Sequence, residues 1–112
     1  EWVQPGDYSY QAGYNVFNAY QELGITGVVA ASDMTAAGLQ KAAQESNVKL
    51  PGALSVVSID GTLICDIATP ALTSVTQNFV QIGIESVNCL VGKSATRLVP
   101  VTLVERESVA TI

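Results

Sequence analysis

Side chains able to do chemistry fall in four short clusters of this sequence: Asp7-Tyr8-Ser9, Ser32-Asp33, Asp60-Gly61 and Thr76-Gln77. Together they offer an aromatic ring, carboxylates, hydroxyls and an amide. A ring that covers an apolar face, beside fixed carboxylate and amide groups, suits a sugar with its many hydroxyls; it suits a nucleoside or purine nearly as well. Plainer roles stand beside this one. Ser and Asp after a strand cap the helix that follows, which applies to Ser32 and Asp33, and Tyr8 can be an aromatic at the edge of a core. Asp60 differs, because no helical pattern follows it at once. If Asp33 and Asp60 are neighbours they form a carboxylate pair of the kind that does acid–base work. Such a pair equally binds hydroxyls, and nothing beside it resembles a nucleophile.

Other chemistries find no residues here. The sequence has no His, so no Ser-His-Asp or Cys-His arrangement can form. Cys65 and Cys89, the two cysteines, cannot make a four-ligand zinc site without it; two reduced thiols are expected rather than a disulfide. Neither a Walker A segment nor Gly-x-Gly-x-x-Gly occurs, and no acidic pair accompanies a strand-end Asp as a phosphorylated receiver would require. We expect a protein that is not an enzyme and needs no cofactor or metal.

The elements that must position these clusters alternate. Ser9 can cap a helix whose apolar face runs Gly13, Val16, Phe17, Tyr20, Leu23, with Gly24 as its stop. Gly27 to Ala31 is a continuous apolar run, which predicts a strand covered on both faces. A helix follows from about Met34 to Ser46, then a loop at Leu50-Pro51-Gly52 and a buried strand from Leu54 to Ile59. Thr62 to Ala71 reads as a loop with at most one turn, and Leu72 to Thr76 as a strand. Gln77-Asn78 opens a third helix with Phe79, Ile82, Gly83, Val87, Leu90 and Val91 on one face and Gly92 as its stop. Leu98 to Val104 is a last strand, placed at an edge by Pro100, and Glu105 to Ile112 a polar tail. The fold class is α/β, a mainly parallel sheet flanked by helices. In such sheets ligands bind beyond the carboxyl ends of the strands, where all four clusters lie.

Composition agrees. The 112 residues suit one domain, and five Lys and Arg against ten Asp and Glu argue against nucleic-acid binding by this segment. Only 13% of residues are charged while 48% are apolar, a surface that expects to be partly covered. No apolar run approaches the roughly 20 residues of a membrane span. Glu1-Trp2-Val3 reads as the middle of a strand, so a piece of a longer protein is expected.

Five segments, in order, carry a resemblance. Pro5-Gly6-Asp7-Tyr8-Ser9 with Gly13-Tyr14, the run Val29 to Gly38 around Ser32-Asp33, the run Leu50 to Gly61 ending in Ser55-Val56-Val57-Ser58-Ile59-Asp60, the run Pro70 to Gln77, and Leu103-Val104-Glu105-Arg106-Glu107-Ser108 resemble motifs of the lac repressor/galactose repressor family of transcription regulators. Two departures are Ser32, where Asn often contacts sugars, and Ser58, where Gly is usual.

The resemblance implies a partial periplasmic-binding-protein-like lobe of a bilobed regulator that binds a small-molecule effector, a sugar foremost, between its lobes. Operator DNA would be read only through a helix-turn-helix module outside this chain. It implies a cytoplasmic homodimer without membrane contact. Residues 1–77 would belong to the C-terminal effector-binding subdomain, 78–97 to a helix that crosses to the other lobe, and 98–112 to a closing strand and tail. Tyr8 would pack on the effector, Asp60 hold its hydroxyls or ring nitrogens, and Gln77 add a polar contact near the hinge. Ser32 and Asp33 stand at contact positions too, with Asp33 mainly a helix cap. Without the other lobe, the 78–91 helix is expected to fold back on its own sheet or be shared in a dimer. The alternative is a fragment of a periplasmic sugar-binding transport protein, which has the same bilobed fold.

Overall fold

A computed structural model describes residues 3–92 and 96–111. The expected opening at Glu1-Trp2 and the last tail residue, Ile112, lie outside them. Helix α1 (Tyr10–Glu22) leads to strand β1 (Gly27–Val29), helix α2 (Asp33–Glu45), strand β2 (Ser55–Asp60), the short helix α3 (Ile64–Ile67), strand β3 (Thr73–Thr76), helix α4 (Phe79–Leu90) and strand β4 (Thr102–Val104). The strands form one sheet in the order β1-β2-β3-β4. β1–β2 and β2–β3 run parallel, and β3–β4 antiparallel. The α/β reading therefore holds, with α3 as the single turn of the 62–71 loop.

Helices α1 and α2 begin as the sequence dictates. Ser9 and Ser32 each turn a hydroxyl back to accept an N–H of the first turn, from Ala12 and Thr35, satisfying a donor that helix geometry leaves unpaired. The two helices then pack unusually closely. A methyl group on Gly13 would sit 1.9 Å from the Thr35 carbonyl oxygen, and one on Gly38 1.9 Å from that of Tyr10, so only glycine lets the backbones meet. The core lies between this pair and the inner sheet face, with Phe17, Leu39, Leu54, Val56, Cys65 and Leu72 at its centre.

Register sets the faces. Val28 pairs with Val56 and Ser58 with Ser74, on the side toward α2, so Val29, Val57, Ile59, Val75 and Leu103 share the opposite side. No helix among the described residues packs broadly on that outer face, and Val29 is 72% exposed. The expectation of a Gly27–Ala31 strand covered on both faces is corrected accordingly: pairing stops at Val29 and one face is open.

Three further expectations are refined. The last strand is shorter, because only Thr102–Val104 pairs with β3; Pro100 cannot donate to a ladder and precedes it. The polar tail is anchored through two of its side chains. Ser108 is 1% exposed and wedges between the starts of β2 and β3, its hydroxyl accepting from the Thr73 N–H (2.8 Å) and donating to the Val56 carbonyl. Arg106 donates to the Leu72 carbonyl and pairs with Asp66 at 2.9 Å. Lastly, of the two arrangements expected for α4, folding back on the sheet or sharing in a dimer, the first is not the one the chain adopts. None of its residues is buried, and its half-covered side is Gln81, Ile82, Glu85, Asn88 and Cys89, facing the 97–101 segment. Val80, Ile84, Val87 and Leu90 point outward.

Candidate functional site

The parallel strands end along one rim. Tyr8, 67% exposed as a residue, enters it from the loop before α1 with its backbone at φ 64°, a conformation uncommon for a bulky residue. The Ser32 hydroxyl holds it there by donating to the Tyr8 carbonyl at 2.9 Å. Ser32 thus caps α2 and ties the aromatic loop to the end of β1; its hydroxyl is spent within the chain.

Asp33, at the first position of α2, turns inward instead. It is 1% exposed. One carboxylate oxygen accepts from the Thr62 N–H (2.6 Å) and hydroxyl (2.8 Å), the other from the Ser74 hydroxyl (3.2 Å). Burial pushes its pKa up, but hydrogen bonds led by the Ser58 hydroxyl and the Thr62 N–H outweigh this and hold it below the usual 3.8. Cys65, packed 3.7 Å from Ser58, has its thiol pushed up by burial and by Asp33. Both cysteines are free.

Asp60 closes β2 at φ 118°, and Gly61 follows at φ 76°. A side chain on Gly61 would collide with Thr76 at 2.3 Å, so the chain turns sharply under β3. Gln77 meets Asp60 twice: its Nε2 donates to the carboxylate at 2.7 Å and its N–H to the Asp60 carbonyl at 3.0 Å. Beside them the Thr76 hydroxyl is enclosed with no hydrogen-bond partner among the described residues.

The structure thus joins Asp60 to Gln77 and Ser32 to Tyr8, and sends Asp33 beneath the rim rather than to Asp60. The residues do not ring one hollow. A cavity of about 330 Å³ takes in Tyr8, Val29 and Ala31, and a second of about 390 Å³ takes in Gln77, Ile82 and Arg97. Thr62, Ser58 and Ser74 were not expected at the site. For Ser58 and Thr62 the signal was a hydroxyl within or just after the apolar run of β2; Ser74, among the threonines of β3, carried none.

Comparison with known proteins decides the family. Residues 2–109 match the periplasmic binding protein-like domain. This chain belongs to that family, among the lac repressor/galactose repressor regulators. It is 33% identical over 119 residues to the HTH-type transcriptional repressor PurR of Erwinia tasmaniensis, covering 98% of this chain and 35% of that protein. A transcription regulator from Lactobacillus plantarum superimposes with a TM-score of 0.89 at 40% identity, covering 99% of this chain and 46% of that one. The LacI family regulator CcpA from Weissella paramesenteroides, solved with bound sucrose, gives 0.82 at 32%, covering 94% and 41%. The periplasmic-binding-protein-like chain therefore spans about a third of the curated repressor and under half of the solved regulators. All three relatives are transcriptional regulators, which favours that reading over a transport receptor. No helix among the described residues is long and apolar enough to cross a membrane.

Proposed function

We propose that this chain is the effector-binding segment of a DNA-binding transcriptional repressor and that its effector is a sugar. The observation that carries the reading is the Asp60–Gln77 pair. A carboxylate and an amide, fixed to each other at 2.7 Å at the carboxyl ends of two parallel strands, offer the paired acceptors and donors that vicinal hydroxyls require. The exposed Tyr8 ring on the same rim supplies an apolar face, and the sucrose-bound relative supports the class. Ser32 and Asp33, with side chains engaged inside the chain, serve by holding these groups in place.

In this reading residues 1–77 form part of one lobe, α4 within 78–97 crosses to a second lobe that completes the cleft, and 98–112 return. The protein is a cytoplasmic homodimer that meets operator DNA through a helix-turn-helix module outside this chain. Sugar binding favours one arrangement of the lobes, and operator affinity changes only to the extent that the two arrangements bind the sugar differently. The test uses the intact protein and calorimetric titration with sucrose, glucose, cellobiose and ribose. Wild type should bind at least one, and Asp60→Ala should lose that binding while its operator affinity stays within about twofold. Unchanged sugar affinity in Asp60→Ala removes the site assignment; no binding of any sugar by wild type removes the class.

A further inference from the structure

Asp60 stands in a backbone conformation that side chains avoid, at φ 118°, and such strain persists only where the surroundings over-determine it. On the strand side Asp60 pairs with Thr76 of β3. Gln77 holds its carboxylate and carbonyl from one side. On the other side the turn runs through Gly61 to Thr62, and Thr62 is the first residue anchored to another element. That anchor is Asp33. Both Thr62 donors, N–H and hydroxyl, converge on one Asp33 oxygen, at 2.6 and 2.8 Å. The anchor is rigid because Asp33 sits at the start of α2 and is 1% exposed; its other oxygen, turned to Ser74 on β3, takes no part in holding Thr62. Hydrogen bonds to a buried ionised carboxylate are among the stronger ones in proteins.

We infer that Asp33 is a positioning residue for the effector site: by clamping Thr62 it fixes the Asp60-Gly61-Thr62 turn and so aims the Asp60 carboxylate at Gln77 and the rim. This inference rests on the reading of Asp60 as the effector-binding carboxylate, yet it can be tested without any effector.

The Gln77 side-chain amide reports on the Asp60 carboxylate, and the Gly61 backbone amide reports on the turn. Their resonances would be followed in ¹⁵N–¹H spectra of the intact protein for four variants. Asp33→Asn weakens the acceptor of the clamp, Thr62→Val removes one of its two donors and leaves the N–H, Thr62→Ser keeps the hydroxyl, and Ser74→Ala removes the donor on the other Asp33 oxygen. We expect the Gln77 and Gly61 signals to shift or broaden in the first two and to match wild type in Thr62→Ser and Ser74→Ala. Should Asp33→Asn not fold, the Thr62→Val and Thr62→Ser pair decides alone. Wild-type Gln77 and Gly61 signals in Thr62→Val overturn the proposal, as does an equal disturbance in Ser74→Ala, which would mark a general loosening. Neither result bears on whether the effector is a sugar, which the titrations answer separately.

Discussion

At the residue scale, the buried Asp33 carboxylate ties stability to pH. Its pKa in the folded chain lies below 3.8, so its contribution is complete above the unfolded value and is lost as pH falls through the folded one. Asp33→Asn should therefore lower stability at pH 7 by about 2 kcal/mol, the scale of hydrogen bonds to a charged group. It should also blunt the wild-type loss of stability below pH 3.8. Urea denaturation at pH 7 and pH 3 measures both, and equal pH dependence in the two proteins would contradict the account. Ser108 is a second case. Replacing it with Ala leaves the Thr73 N–H and the Val56 carbonyl unpaired in a dry place, at a cost of about 3 kcal/mol. These roles were unequally legible in the sequence. Ser32, Asp60 and Gln77 stood out because each breaks an apolar run at a strand end, where ligands and caps gather. Ser58, Ser74 and Ser108 lay within the resembling segments, Ser58 as a departure from Gly, but their roles were not readable, because a hydroxyl inside a strand or tail looks the same whether it faces water or a buried carboxylate.

At the scale of elements, the glycines of the helices make opposite predictions. Gly13 and Gly38 are where α1 and α2 touch backbone to backbone, so Gly38→Ala must push the helices apart. Overpacking of this kind costs about 1–3 kcal/mol, and a contact with unyielding backbone belongs at the upper end. Gly83, in α4, has open space where a side chain would go, and Gly83→Ala should stabilise by about 0.5–1 kcal/mol through helix propensity alone. Thermal melts of the two variants should move in opposite directions. Helical periodicity showed where α1 and α4 run, since an apolar stripe at 3.6-residue spacing needs no knowledge of what covers it. It could not show which stripe of α4 would be covered, because the covered side is the more polar one, with Gln81, Glu85 and Asn88, and the apolar stripe of Val80, Ile84, Val87 and Leu90 faces outward. The edge position of β4 was readable from Pro100, but its length was not: pairing depends on where β3 ends, a fact of register rather than composition.

At the scale of the whole molecule, the chain is elongated, 52 × 26 × 23 Å. It leaves two apolar surfaces open, the outer sheet face around Val29 and Leu103 and the outward side of α4, where Leu90 is 86% exposed. Surfaces of this kind drive association. The 112-residue chain taken alone should self-associate as its concentration rises, and Val80→Glu with Val87→Glu should shift its light-scattering mass toward the monomer. A chain that stays monomeric at all concentrations would contradict this. The same architecture separates the two thiols. Cys65 is enclosed in the core with its ionisation suppressed by burial, while Cys89 lies half-covered on α4. Thiolate reactivity follows exposure and ionisation, so a maleimide dye added to the folded protein attaches at Cys89 and spares Cys65. Without any engineered cysteine, the native sequence thus carries a single optical handle on the one helix that leaves the body of the domain. Its fluorescence would report, in real time, any movement of that helix against the sheet.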